Sequence, residues 1–358
     1  MTLHLFIEPI DVWMFRDGRP FNKGSDHRAS SVFPPLPTVM QGVIRSHYIA
    51  LHGDIQSYLH RQLPEVERLI GKPGEKAPES FKLHGPFIAT MKNGKLMRYT
   101  PLPQDAYQDG DEYRCLTMTK PVESNVVTDL DGQLQILWKD KSATPAKEKG
   151  EVWLDEGALS EYLRDRCLPV NRTVESCGLF ERESRFGIER DDNTRSTRQH
   201  ALYEAEFIRT REGIGLYVEV EGLGDWPDSG VIGIGGEGRA GRYTKIKTPP
   251  PSPKLEPPIP GKFKIVFLTP AYLSDGWQPE GCDWSRHFDG TVKCVAAAVA
   301  RPLVLGGYDM ASKQHKPSRR YVPAGSVYFF EGQTMLKRDA ITDDGAGIGF
   351  GQFIIGEW

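Results

Sequence analysis

The chain has 358 residues, a formal net charge of −3, 39% hydrophobic residues and 26% charged residues. At roughly 150 residues per domain this length predicts two domains, and the composition is that of a folded globular protein rather than a disordered one. The near-balanced charge excludes nucleic-acid binding through overall charge, so such a role must rest on local basic patches. No apolar run approaches the roughly 20 residues of a membrane span, and Met1-Thr-Leu-His-Leu-Phe has no basic segment ahead of a long apolar one. A cytoplasmic chain with no membrane partner is expected. The five cysteines, Cys115, Cys167, Cys177, Cys282 and Cys294, form neither Cys-x-x-Cys nor a Cys/His knuckle. They are read as free thiols, buried or partly buried, in a reducing compartment.

Leu3, Leu5 and Ile7 alternate with polar positions, which predicts a half-buried strand ending near Pro9. In Phe15-Arg-Asp-Gly-Arg-Pro-Phe21, Asp17-Gly18 is a turn that would carry Arg16 and Arg19 on a loop able to grip phosphates. A solvated turn with an internal Asp–Arg pair is the plainer alternative. Basic positions recur at Lys23, His27, Arg28 and Arg45, around a helix start whose amides favour an anion. That helix follows Phe33-Pro-Pro-Leu-Pro37: Thr38 and Gln41 match a capping box, Met40, Val43, Ile44, Tyr48 and Leu51 form an apolar face, and Gly53 is the stop. Gly71 to Ala146 reads as loops, hairpins and insertions, and Val152 to Leu168 as a helix or a strand and helix.

The segment Arg172 to Arg198 is rich in arginine, including Arg185, Arg190 and Arg195, but Glu181, Glu183, Glu189, Asp191 and Asp192 match it. A salt-bridged exposed hairpin is the plain reading, with RNA contact possible where the two signs lie on different faces. Leu216–Val220, Val231–Ile234, Phe263–Leu268 and Val327–Phe330 read as strands.

Gly233, Gly235 and Gly238 satisfy G-x-G-x-x-G, yet the chain runs on through Lys245-Ile-Lys247 to a proline tract at Pro249–Pro260 rather than into a helix. A dinucleotide site is therefore discounted. What remains is a glycine-rich turn whose amides at Gly235 and Gly236 can approach a ligand beside Arg239 and Arg242, or simply a bulged hairpin. Lys313, Lys316, Arg319 and Arg320 form another basic stretch, while Tyr328, Phe329 and Phe330 read as core. Asp343-Asp344 reads as a polar turn. His47 and His52 belong to no nucleophile or metal pattern, no P-loop occurs, and neither cofactor nor metal is expected.

Together Phe15–Phe21, Ser31–Thr38 with Gly42 and Arg45, Arg185-Phe-Gly-Ile188, Gly235-Gly-Glu-Gly-Arg239 and Val322–Tyr328 resemble the signatures of the third-subunit family of type III-B CRISPR Cmr effector complexes. The terminal Gly347-Ile-Gly-Phe-Gly351 resembles the glycine-rich loop of the wider RAMP superfamily. The resemblance implies an α+β protein of two ferredoxin-like, RRM-related βαββαβ domains, read as 1–200 and 201–358, with inserted loops and a projecting β-hairpin. It implies a non-catalytic antiviral-defence subunit that binds the 5′ handle of the crRNA and docks the large polymerase-like subunit and the neighbouring backbone subunit. The alternative is a metal-independent endoribonuclease processing repeat RNA, with His47 and His52 as its candidates. A dinucleotide-dependent enzyme is a third reading.

Overall fold

The computed structural model describes residues 2–17, 28–92, 94–119, 134–140, 151–165, 167–190, 197–250, 261–309 and 314–358. At some of these positions, Arg28 and Arg190 among them, only the backbone is described. The architecture is mixed α+β and dominated by strands. Among the described residues there are four helices: Pro37–His52, Ile55–Leu59, Pro64–Ile70 and Glu156–Asp165. The chain forms two compact units of three segments each. The first comprises Met1–Lys95, Cys177–Pro249 and Val304–Arg319, and the second Leu96–Ser176, Pro250–Leu303 and Arg320–Trp358.

In the first unit the alternating strand Thr2–Pro9 takes the middle of an antiparallel sheet. The strand order is Lys82–Lys92, Ile214–Glu221, Thr2–Pro9, Ala240–Lys245 and Ser229–Gly233. Leu5, Ile7, Leu216, Val218 and Val220 are fully buried there. Helix Pro37–His52 packs against strands Lys82–Lys92 and Ser229–Gly233. It buries Met40, Val43, Ile44, Tyr48 and Ile49, three- and four-residue steps that keep one face inward.

Two details of that helix depart from expectation. Its N-cap is Leu36, with Pro37 in the first turn and no side-chain cap, because the fixed φ of proline already suits a helix start. Leu51 is exposed, two positions beyond the buried stripe that ends at Ile49. Gly53 does end the helix. A second antiparallel pair, Phe180–Arg190 with Thr197–Thr210, gains Arg28–Ala29 as a short parallel neighbour.

The second unit is built on the antiparallel order Lys293–Ala298, Val327–Glu331, Lys262–Phe267 and Phe353–Glu357. One side carries an aromatic cluster of Phe263, Trp284, Phe288, Tyr328 and Phe330. The other carries Val266, Val327, Phe329 and Ile354 against Leu154, Leu159 and Tyr162. Strand Val152–Asp155 leading into helix Glu156–Asp165 confirms the strand-and-helix reading of that stretch.

The stretch read as loops and hairpins contains an 11-residue central strand, Lys82–Lys92. Its His, Gly and Pro hide the strand pattern, and tertiary pairing with Ile214–Glu221 overrides weak local propensity. The four cysteines whose side chains are described are free, but Cys177 and Cys282 are exposed, contrary to the expectation of buried thiols. Both lie in surface 3-10 turns with no apolar face to pack. Cys294 is buried, which pushes its thiol up to about 12.

Candidate nucleic-acid interface

The site begins where strand Thr2–Pro9 ends. Trp13 and Ile208 exchange backbone hydrogen bonds of 3.0 and 2.7 Å, and this fixes the path of Met14, Phe15 and Arg16. The arm then runs antiparallel to Ser30–Val32: Asp17 N–H donates to Ser30 O at 3.0 Å, and Val32 N–H to Phe15 O at 2.8 Å. Ser31 is locked by Glu206, whose carboxylate accepts its N–H at 3.1 Å, while Arg182 donates to both Ser31 O and Glu206 at 2.8 Å. Arg16 and Ser31 are bridge partners, and Arg16 is exposed.

The glycine-rich turn comes to this arm from the other side. Ser229–Gly233 and Ala240–Lys245 form a hairpin, so a strand and not a helix follows the glycines, which removes the context a dinucleotide fold requires. Gly236 N–H donates to Met14 O at 2.7 Å. Gly235 has φ +89°, and a β-carbon there would sit 2.7 Å from Met14 O, so only glycine lets the two backbones meet.

Between arm, hairpin and helix opens a cavity of about 320 Å³, lined by Met14, Phe15, Arg16, Val39, Gly42, Val43, Ser46, Gly233, Gly235 and Gly236. Val39, Gly42, Val43 and Ser46 recur at three- and four-residue steps and so share one helix face. Gly42 and Gly233 would have open space beyond an added β-carbon, which leaves backbone bare to a ligand. Three segments separated by up to about 220 positions thus meet in one wall, apolar below and glycine-lined, with Arg16 at its edge.

The remaining expected contacts divide. Arg239 and Arg185 stand over the ring of Phe207, 4.8 and 4.9 Å from its centre, and both pair with Asp11 at 3.4 and 3.5 Å. Arg209 joins them through Asp11 at 3.2 Å and Glu183 at 2.7 Å, and its two carboxylate hydrogen bonds raise its pKa. Hydrogen bonds from Arg209 and Arg185 hold Glu183 below the usual carboxylate range. Three guanidinium groups against two carboxylates leave one net positive charge.

Arg242 is exposed, on the strand after the turn. The guanidinium of Arg45 is held away from the cavity, by Tyr58 Oη at 3.0 Å and Lys72 O at 3.3 Å. Arg19, Lys23, His27 and Arg195 lie outside the described residues, as does 251–260 of the proline tract. Asp11 and Phe207, which anchor the arginines, carry no sequence signal, since their partners are remote along the chain.

The candidate catalytic histidines are separately engaged. His47 sits among Trp226 and Tyr243, with Nε2 3.4 Å from Tyr243 Oη, and burial lowers its pKa. His52 Nδ1 lies 2.9 Å from Tyr48 O. Asp343 accepts from Ser274 N–H at 2.8 Å and from its hydroxyl, which pins a polar turn. The loop at Gly345–Gly351 is stapled into the second unit, where Gly351 N–H donates to Pro270 O at 2.8 Å. Tyr328, Phe329 and Phe330 are core residues, as their sequence suggested. Among the described residues no group of three or more His, Cys, Asp or Glu could hold a metal ion, and no helix is long and apolar enough to cross a membrane.

These features define a class before a family: a two-unit, strand-rich α+β protein with a glycine-lined cavity and local arginine clusters. The family model described as CRISPR-associated protein (Cas_Cmr3) matches residues 5–358, and the chain belongs to that family, whose setting is the type III-B CRISPR Cmr complex. No curated protein matches the chain.

Among solved structures, it is similar to a chain in the cryo-EM structure of the type III-B Cmr-beta complex bound to cognate target RNA and AMPPnP. The identity is 16% and the TM-score 0.47, over 91% of this chain and 86% of that one. It is also similar to a chain in the Csm3–Csm4 subcomplex of a type III-A interference complex, at 12% identity and a TM-score of 0.37, over 93% and 98%. A chain of the Csm1–Csm4 cassette with AMPPNP gives 12% and 0.35, over 94% and 97%.

Proposed function

We propose that this chain is a non-catalytic RNA-binding subunit of a type III-B interference complex. In this reading it holds the 5′ handle of the crRNA and docks the large polymerase-like subunit and the neighbouring backbone subunit. The observation that carries the reading is the cavity in which Arg16, the Gly42 face of the first long helix and the Gly233–Gly236 turn meet. An apolar floor takes a base, Arg16 takes phosphate, and Arg242 extends the positive path. Phosphate and handle shape, rather than stacking on an open sheet, account for recognition here, because Tyr328, Phe329 and Phe330 are buried. The reading carries with it a cytoplasmic location and two ferredoxin-like modules with a projecting hairpin, Phe180–Arg190 and Thr197–Thr210 being the candidate for that hairpin.

An electrophoretic shift comparing handle-containing RNA with RNA of scrambled 5′ end, with and without the partner subunits, tests it. Tighter binding of the handle is expected. Equal binding in both settings would overturn handle recognition. Charge removal at Arg16 or Arg242 should flatten the salt dependence by roughly 0.7 in slope per lost single-strand phosphate contact.

A further inference from the structure

Asp11 stands in the bend that follows strand Thr2–Pro9, half exposed, and three guanidinium groups converge on its carboxylate. They arrive from separate places in the first unit: Arg185 from Phe180–Arg190, Arg209 from Thr197–Thr210 and Arg239 from the glycine-rich turn. Phe207 holds two of them in place, since Arg185 and Arg239 both lie over its ring. The two carboxylates of the cluster are gripped differently. Glu183 accepts from Arg185 Nε at 2.6 Å and from Arg209 Nε at 2.7 Å, and these hydrogen bonds lower its pKa. Asp11 lies 3.2 Å from Arg209, 3.4 Å from Arg239 and 3.5 Å from Arg185, all beyond the roughly 2.7–2.9 Å of a well-made ionic hydrogen bond. Arg185 and Arg239 share its single Oδ2, and the Nε–H of Arg239 is buried with no acceptor among the described residues. Glu183 is the firm counter-ion of the cluster and Asp11 the loose one.

We propose that Asp11 keeps the place of a phosphate: the three arginines form an anion site, and a phosphate of the RNA backbone displaces the Asp11 carboxylate from it. This rests on the reading of the chain as an RNA-binding subunit, and it names a contact outside the cavity together with the group that competes for it. A phosphodiester carries the same single charge as the carboxylate, so the exchange leaves the charge balance of the cluster unchanged. Its four tetrahedral oxygens reach donors that arrive from three directions, which two coplanar oxygens do poorly. An acidic peptide would bring only another planar carboxylate. The cluster also adjoins the cavity, because Met14 lines the cavity and packs in one apolar group with Phe207, the ring that carries two of the arginines. A continuous RNA strand gains from that adjacency, and a free phosphate does not.

Titration of the full chain with handle RNA reads the competition directly. Asp11→Asn keeps the shape of the side chain and removes the competing charge, and it should tighten handle RNA by about threefold or more. Glu181→Gln removes one negative charge from the same hairpin, beside Arg211 and not from the three arginines, and should tighten it by less. Arg209→Gln should weaken binding and cancel the gain when combined with Asp11→Asn. In a series of handle RNAs that each carry one neutral methylphosphonate, one position should abolish the gain from Asp11→Asn.

Equal gains from Asp11→Asn and Glu181→Gln, or a gain that survives every methylphosphonate, would mark a general charge effect and overturn the exchange, while the handle preference of the natural chain leaves the RNA reading standing. Loss of that preference in the natural chain overturns both. Saturable binding of inorganic phosphate, ATP or polyglutamate to the Asp11→Asn chain that handle RNA does not compete away gives the site to another ligand and also overturns the proposal. Should Asp11→Asn fail to fold, the methylphosphonate series on the natural chain and on Arg209→Gln decides: one position must matter in the first and not in the second.

Discussion

The two units carry opposite solutions to the same electrostatic problem. In the first, Arg185, Arg209 and Arg239 share Asp11 and Glu183 at the surface, around the ring of Phe207, and every member reaches water. In the second, Lys264 and Asp105 are buried to within 1% exposure, paired at 3.3 Å, with Tyr162 Oη accepting from Lys264 Nζ at 2.7 Å and donating to Asp105. Burial, and then the negative charge of Asp105, push the Tyr162 hydroxyl well above its ordinary range. Exposed pairs are screened and cheap to rearrange, so the first cluster suits exchange of partners. A buried triad cannot exchange anything, and its geometry ties Lys262–Phe267 to the helix of the second unit.

Breaking the buried triad should have the largest effect. Lys264→Met leaves Asp105 without a counter-charge and should cost about 3 to 5 kcal/mol in a denaturant titration. Lys264→Met combined with Asp105→Leu should cost less than either change alone, because no lone charge remains. A double variant as unstable as the sum of the singles would show that the triad holds the unit by packing and not by charge.

Next in size, Gly235→Ala forces a β-carbon against Met14 O at positive φ and should cost about 1 to 3 kcal/mol. Gly238→Ala, at φ +64° with open space, should cost less. Equal costs would mean that the arm and the turn do not press on each other as described.

A pH titration compares the units. Burial, partly opposed by Asp343, holds His287 below the ordinary 6.5, and burial does the same to His47. The unfolded chain then binds protons that the folded one refuses. Stability is therefore full above the ordinary value and falls as pH drops through the folded value. His287→Gln should flatten that fall in the second unit and His47→Gln in the first, as read by melting at stepped pH.

The smallest change is also the sharpest. Gly42→Ala adds a methyl to open helix surface and should stabilise by about 0.5 to 1 kcal/mol, yet weaken handle-RNA binding by narrowing the cavity. A gain in both, or a loss in both, would separate the cavity from RNA. Arg239→Ala, at an exposed pair, should move stability by no more than about 1 kcal/mol.

Local pattern made several elements legible. The alternation of Leu3, Leu5 and Ile7, the stripe from Met40 to Tyr48, the Gly53 stop and the aromatic core strand at Tyr328–Phe330 all formed as their spacing implied. The arginine-rich segment became the salt-bridged hairpin its balanced charges suggested, with Glu181 on Arg211 and Glu183 on Arg185 and Arg209. Lys82–Lys92 stayed hidden because its strand state comes from its neighbours and not from its own residues. The first helix starts at Pro37 and not at the Thr38 capping box, because a capping box and a proline at the first helical position leave overlapping signals.

By itself the sequence determined the family, the strand-rich composition of the fold and the glycine and arginine positions worth watching, because these depend on residue identity and short spacing. Only the tertiary structure decided that Arg16, Gly42 and Gly236 share one cavity, that Arg45 turns away from it, and that Asp11 collects three arginines. Those relations join residues up to about 230 positions apart, where the free energy of packing, and no local preference, sets who meets whom.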